Sequence, residues 1–575
     1  MFALIVLLYP LLVGIISLTT CTQDVQVNTK YGKIIGLKKI NKNDEVTVFL
    51  GVPYAKPPVK DRRFKPPSQL DKDIWKKKPF KATQLANSCP QLLQKTGLLG
   101  YDILVPDNTV SEDCLQLNIW VPKEKNVPVL VFFHGGAYNF GSGSLQLHNG
   151  TFIAIKTNQI VVNVNYRLGF LGFAYMGNGK TIPGNMGLLD QQMALKWIYE
   201  NIASFGGDPT RITIWGQSSG SASATAHLYA PDSHKYFSKV IASSGTISNV
   251  WASIGNSFAE NNTRTVANLL KCKGKDSAIL KCLQEADVNS LVKLSLSVRQ
   301  PNQNLVFYSF APVDKDDNFF KGSIQQKVFF RQMKTDADLL IGKTSSEGTY
   351  FMPSLFGNER YKCYLIPNVP LESEINSCNM NQSSIIEIIG FYLSPFLTKP
   401  EDLKPIINEY LKLQLPKPRD TVARFISDVL FDCGIIQFAD SYATVTKKNI
   451  YFYHFTKQSY IRMFPLWMSK YHGIDLEFQF NVPLLDPSRY KTYKELRRSR
   501  IYARRVNKMF VEFNLKSNPG RLWKKYDLKR TLAGILDHKF TLKGPKRFMN
   551  VTTDTCTALT KLIIKSYIAK NKVIT

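Results

Sequence analysis

The chain has 575 residues, a formal net charge of +30 and 44 % hydrophobic residues. That apolar content buries a large core and excludes an intrinsically disordered protein. No zinc-finger, RRM or helix-turn-helix pattern accompanies the positive charge, so no nucleic-acid partner is expected.

No Pro/Ser/Gly-rich linker, repeat or low-complexity tract divides the chain, and it reads as one large α/β domain with long insertions. At the N-terminus, Ala3 through Leu18 is an apolar run followed at once by polar sequence. A signal peptide over residues 1–21 is expected, with the mature domain from 22 to 575. The run lacks a basic segment before it; an uncleaved anchor is the alternative, opposed by Pro10 and Gly14. No later segment is long and apolar enough to span a bilayer, and the Lys-rich C-terminus is not a lipid-anchor signal. A secreted, extracellular protein is therefore expected. Its nine cysteines fit that address, because eight remain without Cys21 and an even number suits an oxidising compartment. None has the CxxC spacing of a zinc site, so no metal is expected. Sequons stand at Asn149, Asn261, Asn381 and Asn550.

Pro128 to Phe133 is a continuous apolar run, predicted to be a buried strand, and His134-Gly135-Gly136-Ala137 follows it. Glycine-rich turns of this kind present backbone N–H groups to a developing oxyanion. Next, Arg211-Ile212-Thr213-Ile214-Trp215 alternates as a strand does, and Gly216-Gln217-Ser218-Ser219-Gly220 follows, then a run of small residues suited to a packed helix. Strand, Gly-x-Ser-x-Gly turn and helix make a nucleophile elbow. Ser218 is the candidate nucleophile, with the Ser219 amide as a third oxyanion donor beside Gly136 and Ala137.

A serine hydroxyl needs a base, and the base needs an acid that fixes its tautomer. In this kind of sheet the acid and then the histidine follow the serine along the chain. Asp338 to Gly342 reads as a strand running into a loop that holds Glu347. Spacing leaves Glu347 between two roles, acid partner and cap of the following helix. Three histidines come later. His454 sits inside the alternating strand Ile450–Phe455, His538 lies in a Lys-rich stretch, and His472 lies in the loop Tyr471–Asp475. Order and position favour His472.

From Lys491 to Lys508 the cations thicken, and Arg497, Arg500 and Arg504 recur at helical spacing. The plain reading is a solvated helix in a Lys-rich protein. The functional one is weak adhesion to anionic glycans or surfaces.

Several motifs together make the chain resemble the type-B carboxylesterase/lipase family of the α/β-hydrolases, in its cholinesterase-like branch. They are Phe49-Leu50-Gly51-Val52-Pro53-Tyr54-Ala55, Ser111-Glu112-Asp113-Cys114-Leu115, Gly184-Asn185-Met186-Gly187-Leu188-Leu189-Asp190-Gln191, and Trp467-Met468 with His472-Gly473 and Glu477-Phe478. The resemblance runs from about Tyr31 to Ile564. It implies an α/β-hydrolase fold, a large, mostly parallel sheet flanked by helices, with Ser218, Glu347 and His472 as triad and no cofactor. It also implies disulfides Cys89–Cys114, Cys272–Cys282 and Cys433–Cys556, leaving Cys363 and Cys378, and places Trp251 and Tyr308 near an acyl pocket.

The chain departs from that branch where the branch holds a choline cation. The tryptophan ten residues before the second cysteine of the first disulfide loop is Leu104 here, which has no π-face. Glutamate before the nucleophile is Gln217. Tyr350 keeps an aromatic near the cation site, and Ser219 replaces the usual alanine. These departures and the positive charge point to a small neutral ester as substrate, with no cofactor. Alternatives are a juvenile-hormone-esterase-like or cholinesterase-like hydrolase, a lipase, and a neuroligin-like adhesion protein without catalysis. Oligomeric state is not encoded in any of these motifs.

Overall fold

The computed structural model describes residues 21–41, 44–298 and 308–571. The apolar run expected to be a signal peptide lies outside the described residues, except that Cys21 opens the first strand.

A thirteen-stranded mixed sheet forms the centre of the described residues. Its strands in chain order are β1 (Cys21–Thr29), β2 (Gly32–Asn41), β3 (Asp44–Pro53), β4 (Trp75–Lys81), β5 (Gln116–Pro122), β6 (Val127–Phe133) and β7 (Ile160–Val164). They continue with β8 (Gly207–Gln217), β9 (Lys239–Ser243), β10 (Asp338–Thr344), β11 (Ile450–Phe455), β12 (Leu532–Leu536) and β13 (Phe548–Asn550). Across the sheet the order is β1-β2-β3-β5-β7-β6-β8-β9-β10-β11-β12-β13, with β4 beside β2. From β7 to β12 every pairing is parallel. Antiparallel pairs flank this block on both sides.

The parallel strands read as unbroken apolar runs because helices cover both faces. Every residue of β6 is buried. Val129, Val131 and Phe133 enter the core on one face, and Leu130 and Phe132 enter a separate cluster on the other, as the two-residue period of a strand requires. On the second face Trp215 lies 4.8 Å from the Phe480 ring and 5.3 Å from Phe510. Phe510 belongs to the longest helix of the described residues, Tyr493–Lys516, which a Thr492–Glu495 capping box starts. This is the α/β-hydrolase fold.

The motif residues that do not touch the cavity hold loops. Arg167 grips both oxygens of Asp190, fully buried, at 2.7 and 2.8 Å. Arg63 grips Glu112 in the same bidentate way. Asn118 accepts the N–H groups of Gly51 and Ala86. Disulfides join Cys89 to Cys114, Cys272 to Cys282, Cys363 to Cys378 and Cys433 to Cys556. Asn261, Asn381 and Asn550 are exposed, whereas Asn149 is half-buried and accepts the Thr151 N–H.

Candidate active site

Strand β8 ends at Gln217, and the helix Ser219–Ala226 begins two residues later. Between them Ser218 has φ 59° and ψ −127°. A residue with a Cβ pays about 1–3 kcal/mol for such a conformation, so its surroundings must impose it. They do: the Ser218 N–H donates to Ser243 O at the end of β9, and Ser218 O accepts from Ala222 N, both at 2.9 Å. A Cβ on Gly216 would come 2.0 Å from Gly220 O, and one on Gly220 would come 2.0 Å from Phe133 O. Both flanking positions therefore require glycine, and the turn turns Ser218 onto a cavity wall.

Glu347 follows β10 and is wholly buried. Its Oε1 accepts the Thr344 N–H at 2.6 Å, and its Oε2 lies 2.6 Å from His472 Nδ1. Of the two roles left open for Glu347, its carboxylate reaches back to β10 and across to His472 rather than onto the helix after it. His472 is 7 % exposed, with the Phe431 ring 4.5 Å away and the Phe351 ring 5.3 Å away. His454 lies within β11, where burial holds its pKa well below the usual value, and His538 is exposed. Neither lines the cavity described below.

On its other side His472 Nε2 faces Gln217 Nε2 at 3.2 Å. Ser218 Oγ and His472 share the cavity wall, but no hydrogen bond joins them among the described residues; the contact at His472 Nε2 is with the Gln217 carboxamide.

The loop after β6 carries three successive positive φ angles, 117° at Gly136, 49° at Ala137 and 62° at Tyr138. Gly136 admits no side chain, since a Cβ would stand 2.0 Å from Phe140 O. The amides of Gly136, Ala137 and Ser219 have no acceptor among the described residues. The Ser219 hydroxyl accepts the Tyr138 N–H at 3.2 Å and ties this loop to the elbow. In the sequence Ser219 stands out only as a replacement for the usual alanine, and nothing there discloses the tether.

These groups open onto a cavity of about 1250 Å³. Leu104, Gln217, Trp251, Tyr308 and Tyr350 all line it. Trp251 Nε1 donates to Leu430 O at 2.6 Å, which fixes the indole. Tyr101 was not expected; its hydroxyl donates to Tyr350 O at 2.9 Å and its ring stands edge-on to Tyr350 at 5.0 Å. It lies inside the Cys89–Cys114 loop, where no periodicity marks a face. Asp475 was also missed, although it is three residues from His472. Buried beneath the site, it accepts from Tyr453 Oη at 3.2 Å and Gln479 Nε2 at 2.8 Å. Burial, then the Glu347 charge, pushes its pKa up to about 7.

Asp428, Cys433 and Cys556 bring potential ligand atoms close together, but the two cysteines form a disulfide and offer no thiolate.

Residues 23–553 match the family described as the carboxylesterase family. The chain is 34 % identical over 507 residues to the cholinesterase of Mus musculus, covering 86 % of this chain and 79 % of that protein. It is 33 % identical over 526 residues to acetylcholinesterase 4 of Caenorhabditis briggsae, covering 86 % and 82 %. For the acetylcholinesterase of Bungarus fasciatus the figures are 31 % over 510 residues, 86 % and 79 %. The chain belongs to the carboxylesterase family, as a cholinesterase-like or carboxylesterase-like serine hydrolase.

Proposed function

We propose that this protein is a secreted carboxylesterase that cleaves neutral esters with Ser218 as nucleophile, His472 as base and Glu347 as the acid that orients it. The observation that carries this reading is the 2.6 Å contact of His472 with buried Glu347, on the wall of the cavity into which the strained Ser218 turn opens. When substrate enters, the Gln217 carboxamide yields His472 Nε2 to the Ser218 hydroxyl; such contacts commonly tighten only in the complex. Ser218 Oγ then attacks the ester carbonyl while His472 takes its proton. The amides of Gly136, Ala137 and Ser219 hold the tetrahedral oxyanion. The ring returns the proton to the departing alcohol, and water releases the acid from Ser218 by the same route.

Leu104, Gln217 and the positive net charge support neutral esters over cationic ones. Four disulfides and three exposed sequons support secretion after removal of residues 1–21. The second reading is a cholinesterase, favoured by the named relatives and by the Tyr101–Tyr350 aromatic pair on the cavity wall.

The test combines a fluorophosphonate probe with a panel of p-nitrophenyl, choline and juvenoid esters. Labelling lost in Ser218→Ala, and turnover reduced by about three orders of magnitude or more, are expected. Turnover of Ser218→Ala within tenfold of wild type would overturn the assignment. Absence of labelling in wild type would favour a non-catalytic adhesion protein.

A further inference from the structure

The net charge is not spread evenly. Residues 491–547 hold eighteen Lys and Arg against four Asp and Glu, so this tenth of the chain carries +14 of the +30. Within it, the helix Tyr493–Lys516 exposes Lys494, Arg497, Arg498, Arg504 and Lys508. Their spacing of three, one, six and four residues places them along one face, and the stripe from Lys494 to Lys508 is about 21 Å long. Ile501 is the one exposed apolar residue within it.

All four acids of this region are already engaged. Glu495 closes the capping box with the Thr492 N–H, and Glu512 pairs with Lys516 at 2.8 Å. Asp527 pairs with Arg530 at 3.0 Å, and Asp537 pairs with Arg547. Among the described residues no carboxylate forms an ion pair with Lys494, Arg497, Arg498, Arg504 or Lys508. The opposite edge of the helix packs into the core through Tyr502, Val506, Met509, Phe510 and Phe513. The stripe is thus a stiff row of unneutralised cations. The segment after the helix packs alongside, through Tyr502 Oη to Leu536 O and Arg505 Nη1 to Phe540 O, and adds exposed Lys539, Lys543 and Lys546.

We propose that this helix face binds a linear sulfated glycan. A fixed row of cations matches an extended polyanion. Guanidinium predominates in the row and pairs with sulfate oxygens through two parallel N–H bonds. The four disulfides indicate an oxidising compartment, where sulfated glycans are the available linear polyanions and nucleic acids are not. Along the whole helix only Tyr493, Ile501 and Leu515 are exposed and apolar, eight and fourteen residues apart, too scattered a surface to seat it in a bilayer.

The test uses the full mature protein on immobilised heparin, eluted with a salt gradient. One variant carries Arg497→Gln, Arg498→Gln, Arg504→Gln and Lys508→Gln; glutamine keeps helix propensity. A control carries Lys72→Gln, Lys76→Gln, Lys77→Gln and Lys78→Gln, an equal loss of exposed charge near β4, at the far end of the sheet. Wild type and control are expected to stay bound at physiological salt. The helix variant should bind heparin roughly tenfold or more weakly with a shallower salt dependence, while hydrolysing a neutral aryl ester at the wild-type rate. Desulfated heparin should not compete. Equal weakening of both variants overturns the proposal in favour of general charge. So does wild type releasing below physiological salt, or sedimenting with phosphatidylserine vesicles while ignoring heparin.

Discussion

The side-chain amide of Gln217 stands 3.2 Å from Nε2 of His472, on the side of the ring away from Glu347. A neutral carboxamide there adds no charge beside the ring, whereas a carboxylate would favour the protonated ring, which cannot act as base. In Gln217→Glu the acidic limb of the kcat/KM profile for a neutral ester should move toward alkaline pH by about one unit. The same variant should raise the ratio of choline-ester to neutral-ester turnover. A profile that superimposes on wild type would mean that the 3.2 Å contact does not persist in the working enzyme.

The Glu347 carboxylate holds two donors, the Thr344 N–H and the His472 ring, in a wholly buried place. Glu347→Gln keeps the shape but presents an N–H where the ring needs an acceptor, which favours the wrong tautomer. Turnover should fall by about three to four orders of magnitude with KM little changed. An unchanged melting temperature would show that the loss is chemical rather than structural.

The strands and the elbow turn were legible in the sequence because each rests on a local rule. The run Ile450–Phe455 forms a strand with the same bounds, and Gly216 and Gly220 are required by atoms that the elbow itself brings together. Glu347 and His472, 125 positions apart, could be paired only by the order in which such sheets place their groups. What sequence did not disclose is contact between side chains of unrelated segments. The Gln217 amide at His472, the Ser219 tether to Tyr138 and the Tyr101 ring against Tyr350 each join loops whose approach depends on the whole fold.

Leu104 lines the cavity together with Tyr101, Tyr350 and His472. Leu104→Trp would place an indole face where a quaternary ammonium could rest. A cation–π contact there is worth about 1–2 kcal/mol, so KM for a choline ester should fall by roughly five- to thirtyfold. Turnover of an uncharged ester of equal size should stay within about twofold. Equal gains for both esters would indicate added apolar contact instead of cation recognition.

Asp475 titrates near neutrality because burial, and then Glu347, oppose its charge. An acid whose folded pKa lies above its unfolded value binds more protons in the native state between those two values. Its contribution to stability is therefore full below about pH 4 and is lost as pH rises toward 7. Asn at this position can still accept from Tyr453 and Gln479 through one oxygen, as the carboxylate does. Asp475→Asn should melt higher than wild type at pH 8, by about 1 °C for each kcal/mol recovered in a chain of this length, and the gain should vanish near pH 4. A gain that is the same at both pH values would place its origin elsewhere.

Phe431, whose ring centroid lies 4.5 Å from that of His472, sits in the π-helical turn Asp428–Asp432 between the helices Pro418–Ser427 and Cys433–Val445. That turn is held by buried charge. Asp432 takes Lys343 Nζ at 2.5 Å and pairs with Arg424, which reaches Asp428 at 2.6 Å. The adjacent Cys433–Cys556 disulfide pins it from the other side. Asp432→Asn would leave Lys343 and Arg424 with one carboxylate between them, and stripping one partner from a buried pair costs about 3–5 kcal/mol. The turn should loosen before the sheet does, because it carries both carboxylates of the cluster, whereas β10 contributes only Lys343. Expected results are a lower melting temperature and faster amide exchange over residues 428–433. Turnover should fall more than neutral-ester KM changes, since a shifted Phe431 no longer backs the His472 ring. Exchange that quickens evenly across the chain would show that the charge cluster supports the whole core and not this turn.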